Sequence, residues 1–118
     1  GRLRNPDNIA FDPQGRMWIA TDGAEESGFS DGLWATDVTG PGRALTRHFL
    51  RVPLGAEMTG PCFTPDGTTL FASVQHPGQN PGSTFDQPST RWPDFADGAP
   101  PRPAVIAITN HRRRIGDA

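Results

Sequence analysis

One short phrase occurs twice in this chain, and the repeat restricts the fold more than any other feature. Phe11-Asp12-Pro13-Gln14-Gly15 returns 52 residues later as Phe63-Thr64-Pro65-Asp66-Gly67, and the same shift lays Trp18-Ile19-Ala20-Thr21 on Leu70-Phe71-Ala72-Ser73. Each copy sets an apolar run, a Pro/Gly turn and a second apolar run in that order, which is the pattern of a β-hairpin. In the first copy Ile9 and Phe11 alternate with Ala10 and Asp12 before the turn, and residues 17–20 return after it. A polar stretch over 22–32 then leads to an expected third strand at 33–38. Gly40-Pro41-Gly42 turns the chain into a fourth at 44–52. The second copy runs through Val74, meets a Gly/Pro-rich insertion at 75–102, and resumes with the apolar strand 104–109. The composition of that insertion suits an ordered irregular loop and a disordered linker equally.

A four-stranded unit repeating at about 40 to 50 residues is the pattern of a β-propeller blade, and propellers close with about four to eight blades. The expected fold is therefore all-β: a fragment of a β-propeller, one partial domain over residues 1–118, with blade-like repeats at 6–52 and 58–110. Two blades leave open edges and an unclosed ring. The remaining blades are expected from a longer parent chain, or else from other copies of this one. A thin core agrees with this, because only 22 residues are Leu, Ile, Val or Phe while Gly and Pro number 14 and 13.

Several chemistries drop out. A net charge of -2 offers no general attraction to nucleic acid or an anionic membrane. No membrane span or signal peptide is visible, and a segment taken from within a gene would not display an N-terminal address. Every basic residue is Arg, which removes the P-loop lysine, Schiff-base chemistry and a Ser-Lys dyad. No Gly-x-Ser-x-Gly elbow is present, and Cys62, alone, makes neither a disulfide nor a zinc-type pair. Cys62 is expected to be buried as a small apolar residue. Trp18 and Trp34 are expected in the inter-blade core, and Trp92 either covers a site or pins its loop. His48, His111 and the run Arg112-Arg113-Arg114 are expected to be structural or solvated.

Loops that enter the first strand of a blade, and those joining its second and third strands, commonly face a propeller's central channel. These positions hold Asp7, Asn8, Asp22 and Glu25-Glu26 in the first repeat, and Glu57 and Gln75-His76 in the second. Their oxygens suit a hard cation such as calcium, which takes about six to eight oxygen ligands. Structural alternatives stand beside this reading. Asp7 or Asn8 could form an Asx-turn, Glu57 could simply be solvated, and His76 could be a hydrogen-bonded turn residue.

The phrases "PDNIAFDPQGRMWIATDG", "EMTGPCFTPDGTTLFASVQHPG", "STRWPD" and "PRPAVIAI", in this order across nearly the whole chain, resemble the C-terminal part of the PhoX-type alkaline phosphatases. Glu-Met-Thr-Gly-Pro followed at this spacing by Val-Gln-His-Pro-Gly is the most specific part of the match. The resemblance implies a secreted bacterial phosphomonoesterase, periplasmic or extracellular, built on a six-bladed propeller whose channel holds calcium and ferric iron. It implies Glu57 as the first choice for a metal ligand, with Asp7, Asn8 and Asp22 as weaker candidates. It also places His76 of "QHPG" at the catalytic site, which it helps to shape. The family's glutamate after "QHPG" is Gln79 here, a departure that puts an uncharged amide at that position.

What the resemblance implies chemically is metal-assisted attack on a phosphate monoester, the cations polarising the phosphoryl oxygens. The nucleophile and most ligands would lie in other blades, so the 118-residue segment alone is expected to be inactive. Three rival expectations remain: a calcium-stabilised propeller used only for binding, a lactonase-like propeller hydrolase acting on a carbonyl ester, and a truncated product with no function of its own.

Overall fold

A computed structural model describes residues 3–23 and 28–117. The pair Glu25-Glu26, named above as a channel-facing candidate, lies outside the described residues. Seven strands form two antiparallel meanders: β1 (Pro6–Phe11), β2 (Met17–Thr21), β3 (Gly32–Thr36) and β4 (Arg47–Arg51) in one sheet, and β5 (Glu57–Phe63), β6 (Thr69–Gln75) and β7 (Ala104–Thr109) in the other. The third and fourth strands are shorter than the sequence pattern suggests. Residues 37–46 form the connecting turn, in which the amide of Ala44, itself at a positive φ of 63°, donates to the Asp37 carbonyl.

The two hairpin turns are built from the same phrase with different chemistry. In the first, the Asp12 carboxylate accepts the backbone N–H groups of Gln14 and Arg16 through Oδ1 and the Trp18 indole N–H through Oδ2 at 2.9 Å. Asp12 is buried, and the Arg16 guanidinium lies 3.5 Å from it. In the second, Asp66 is exposed and accepts from the Thr64 hydroxyl and from the Thr68 amide and hydroxyl.

The second turn is also one residue longer, and the strand register shows it. Phe11 pairs with Met17, whereas Phe63 pairs with Leu70. The structural counterpart of Trp18 is therefore Phe71, not the Leu70 reached by the 52-residue shift. Because side chains alternate between faces along a strand, this single residue decides which face each side chain takes. Ala10, Trp18 and Ala35 lie across β1, β2 and β3, and Cys62, Phe71 and Ala107 lie in the same relation across β5, β6 and β7.

The core forms where the first sheet presents the Trp18 face to the second. Trp18, Ala20 and Leu33 meet Met58, Leu70, Ala72 and Val74, with the Trp18 and Phe63 rings 5.1 Å apart. After β7 the chain returns to insert Ile115, whose amide donates to the Gly67 carbonyl. The counterpart face of the second sheet is open: Phe71 keeps 42% of its surface, and Cys62 is exposed. Burial of Cys62, expected from its chemistry, is thus overturned by its register. Trp34 is buried but does not join the inter-sheet core. It pairs with Ile19 and stacks on His48 at 4.3 Å on the opposite face.

The segment between β6 and β7 is irregular and tied to the fold. Trp92 packs against the core, Arg102 makes a two-pronged contact with Asp94 at 2.7 and 2.9 Å, and the Arg91 guanidinium donates to the Ala99 carbonyl. Trp92 pins this loop. No helix among the described residues is long and apolar enough to cross a membrane.

Candidate metal centre

Three loops meet at the sheet ends where β2 finishes, β5 begins and β6 finishes. Asp22 follows β2, Glu57 opens β5, and His76 follows β6. Ligand atoms of these three side chains all lie within 4.8 Å of one another. Residues 35 and 54 positions apart in sequence are brought together because both sheets run their second strand to the same end.

His76 is fixed by its surroundings. It adopts φ 36°, in the left-handed region that non-glycine residues rarely enter. Its Nδ1 lies 2.9 Å from the Gly55 carbonyl, and its Nε2 lies 3.3 Å from Glu57 Oε2. A carbonyl oxygen only accepts, so Nδ1 carries the proton. In the neutral ring Nε2 then turns a lone pair toward a carboxylate oxygen. Two acceptors facing each other need a proton or a cation between them.

The titration of both groups reflects this arrangement. Burial raises the Glu57 carboxyl above its ordinary value, and the Asp22 carboxylate adds to the rise, with a smaller push from Asp7. Burial works against the His76 cation, but the bonds to Gly55 and Glu57 outweigh it and the imidazole is raised overall. The crowding of carboxylates that raises Glu57, and the bonds that raise His76 against its burial, both mark a site that favours positive charge. The Glu57 side chain is only 12% exposed and that of His76 37%, so the carboxylate sits inside while the ring forms the rim.

Asp7 and Asn8 lie beside this group rather than in it. Asp7 is exposed and acts on Glu57 through its charge. Asn8 ties the sheets together: its Oδ1 accepts the Gly60 N–H at 3.1 Å, and its Nδ2 donates to Asp7 and, at 3.3 Å, to Thr59. The bonds to Gly60 and Thr59 reach a different strand and the one to Asp7 joins two side chains, so none of them is an Asx-turn. Gln75 pairs with Glu57 across the β5–β6 ladder, and Gln79 is exposed.

Gly55 was not singled out by the sequence pattern. It has φ 74°, and a Cβ there would lie 2.5 Å from the Gln79 nitrogen and 2.8 Å from the Gly78 carbonyl carbon. Only glycine lets this carbonyl approach the His76 ring so closely. A glycine immediately before the "AEMTGP" phrase was the one available signal.

The chemistry of the set suits a bound cation. Two carboxylates and an imidazole form a mixed oxygen and nitrogen donor set of the kind that holds divalent and trivalent metal ions, while calcium would need more oxygen ligands than these three side chains offer. A family model described as alkaline phosphatase PhoX matches residues 1–78. The chain belongs to the PhoX alkaline phosphatase family. Its fold is similar to the solved structure of Pseudomonas fluorescens PhoX in complex with vanadate, a transition state analogue, with a TM-score of 0.77 and 34% sequence identity. That similarity covers 94% of this chain and 19% of the PhoX chain. The chain thus spans about a fifth of the length of its PhoX neighbour. The match establishes the propeller-type architecture expected from the repeat. No curated protein matches the chain.

Proposed function

We propose that this chain is the C-terminal portion of a secreted, metal-dependent phosphomonoesterase, and that Asp22, Glu57 and His76 form one side of its metal centre. The observation that carries the reading is the His76–Glu57 pair, in which two acceptors are aimed at each other beside a second carboxylate. Membership of the PhoX family supports a phosphate ester as substrate, and the binding of vanadate, a transition state analogue, by the Pseudomonas protein supports the same reading.

In this reading Glu57 and Asp22 supply oxygens and His76 Nε2 supplies nitrogen to ferric iron. Asp7 and the second lone pair of Asn8 Oδ1 are the proposed contributions to a neighbouring calcium ion. When bound, such cations polarise phosphoryl oxygens and neutralise the charge that develops during transfer. The chain's own part is to hold donors in place. The Gly55 carbonyl orients the imidazole, Asn8 locks β1 to β5 so that Asp7 and Glu57 stay adjacent, and the partly buried setting of Glu57 keeps water from competing for its carboxylate. His76 shapes the catalytic site through its ring position. In this reading the nucleophile and the other ligands come from elsewhere in the longer chain, and membership of the PhoX family supports a periplasmic or extracellular enzyme.

The test uses the full-length protein that carries this segment. Metal content and hydrolysis of a generic phosphomonoester are measured before and after chelation, beside a Glu57→Gln variant. Loss of one ligand from this set is expected to weaken metal retention by roughly 10-fold or more and to reduce turnover in parallel. Hydrolysis that survives chelation would sink the proposal. Metal retention without any ester hydrolysis would instead favour a calcium-stabilised binding propeller.

A further inference from the structure

Beside the metal centre lies a cleft of about 680 Å³, lined by residues 22–23 and 28–31 after β2, 54–56 before β5, and 76 and 79–81 after β6. It is too large for the phosphoryl group alone and falls within the range of small-molecule sites, about 300–1,000 Å³. Asp22 and His76 stand in its wall, so the metal centre opens directly into it. An ester whose phosphate reaches the cluster must place its alcohol somewhere, and this cleft is the adjoining space in the chain.

The rest of the wall says what kind of alcohol would fit. Phe29, Leu54 and Pro81 give it apolar surface, and Phe29 and Leu54 keep 44% and 49% of their exposure. The Arg4 guanidinium lies 4.6 Å over the Phe29 ring and is not itself part of the wall, so the ring is held in place by a cation–π contact. Among the described residues, the acidic groups in the wall are Asp22, assigned above to the cation, and the buried Asp31, which accepts from the Thr21 hydroxyl at 2.7 Å. A held aromatic ring with apolar neighbours attracts a leaving group that has a flat apolar face.

We propose that this cleft is the leaving-group subsite, that it favours phosphate esters of alcohols with a flat apolar face over those of small polar alcohols, and that Phe29 and Leu54 determine this preference. The proposal rests on the phosphatase reading above. Hydrolysis itself breaks the P–O bond to the alcohol, water supplies the new oxygen on phosphorus, and the alcohol leaves carrying a proton. The cleft takes no part in that chemistry and acts by holding the alcohol.

The test compares phenyl phosphate with glycerol 1-phosphate in the full-length enzyme and in Phe29→Ala and Leu54→Ala variants. It adds calorimetric binding of phenylphosphonate against methylphosphonate, neither of which carries the hydrolysable ester bond. Phe29→Ala is expected to lower kcat/KM for phenyl phosphate by about 10-fold, from loss of one aromatic contact and its buried area, and to leave glycerol 1-phosphate within about 2-fold. Leu54→Ala should act in the same sense and more weakly. The phosphonate preference of the wild-type protein should shrink equally in Phe29→Ala. Equal loss on both esters, or no loss on either, would overturn the subsite. Turnover without any phenyl preference would overturn it while keeping the phosphatase reading. A phenylphosphonate preference with no turnover of any ester would do the reverse.

Discussion

The two copies of the repeated hairpin differ in what surrounds them, and the difference explains how one sequence phrase serves two purposes. In the first copy the face carrying Ala10, Trp18 and Ala35 is pressed onto β5, and the turn carboxylate Asp12 is buried with the Trp18 indole bonded to it. In the second, the matching face of Cys62, Phe71 and Ala107 is open, and Asp66 bonds only threonines at the surface. Each sheet offers the same face in the same direction, and only one of the two meets a neighbour within this chain. A repeat that packs in this head-to-tail manner extends around a ring until it closes.

The largest expected effect follows from that asymmetry. Trp18→Ala should cost about 3–5 kcal/mol, the usual range for truncating a buried aromatic core residue, and it removes the partner of a buried carboxylate as well. In a core this thin, such a loss should abolish a cooperative urea transition of the 118-residue chain. Phe71→Ala should cost no more than about 1 kcal/mol, because its ring is half exposed. Equal losses would mean that the outer face of the second sheet is covered, as it would be inside a complete ring. Repeating the pair of substitutions in the full-length protein should therefore bring the two values together.

The turns give the next contrast. Asp12→Ala strands the amides of Gln14 and Arg16 and the Trp18 indole N–H, and should destabilise by about 2–3 kcal/mol. It also takes away one of the three carboxylates around Arg16, which reaches Asp37 and Asp117 at 3.5 and 3.6 Å. Asp66→Ala should leave the urea midpoint nearly where it was. A large effect at Asp66 would show that the Thr64 and Thr68 bonds hold the second turn as firmly as burial holds the first.

How far the sequence could be read is visible in the same residues. The repeat located both hairpins, the strand 104–109 and the blade architecture, because Pro/Gly turns and apolar alternation are local signals. The cluster was within reach for the same reason: Asp22, Glu57 and His76 all sit at strand ends that a blade must bring to one side. What escaped depended on a single residue. The longer second turn moves the counterpart of Trp18 from Leu70 to Phe71 and so turns Cys62 outward, and no composition argument registers a one-residue shift. Trp34 escaped likewise, since its pairing with Ile19 sets its face and apolar character alone does not. Gly55 matters through a carbonyl, a group that every residue possesses, and only the close approach of residues 78 and 79 distinguishes it.

The smallest expected effect lies on the outer face of the first sheet, where Trp34 and Ile19 are buried although Ile9 and Phe11 stay exposed. His48 stacks nearly parallel on Trp34, with 14° between the rings. Partial burial, and then the positive charge of Arg51, lower the affinity of this imidazole for a proton. Above its ordinary value of about 6.5 the ring is neutral in both folded and unfolded chains, and it contributes no pH dependence. As pH falls below that value the unfolded chain takes up the proton first, so stability declines until the folded ring is protonated in turn. The ring is exposed, and solvent screening keeps the change well under about 1 kcal/mol. His48→Gln should flatten this component of a stability profile between pH 7 and 5, and Arg51→Gln should shrink it. A profile unchanged by His48→Gln would mean that the stack leaves the imidazole as free to protonate as in the unfolded chain, and the contrast between the buried and the exposed side chains of this face would then rest on Trp34 and Ile19 alone.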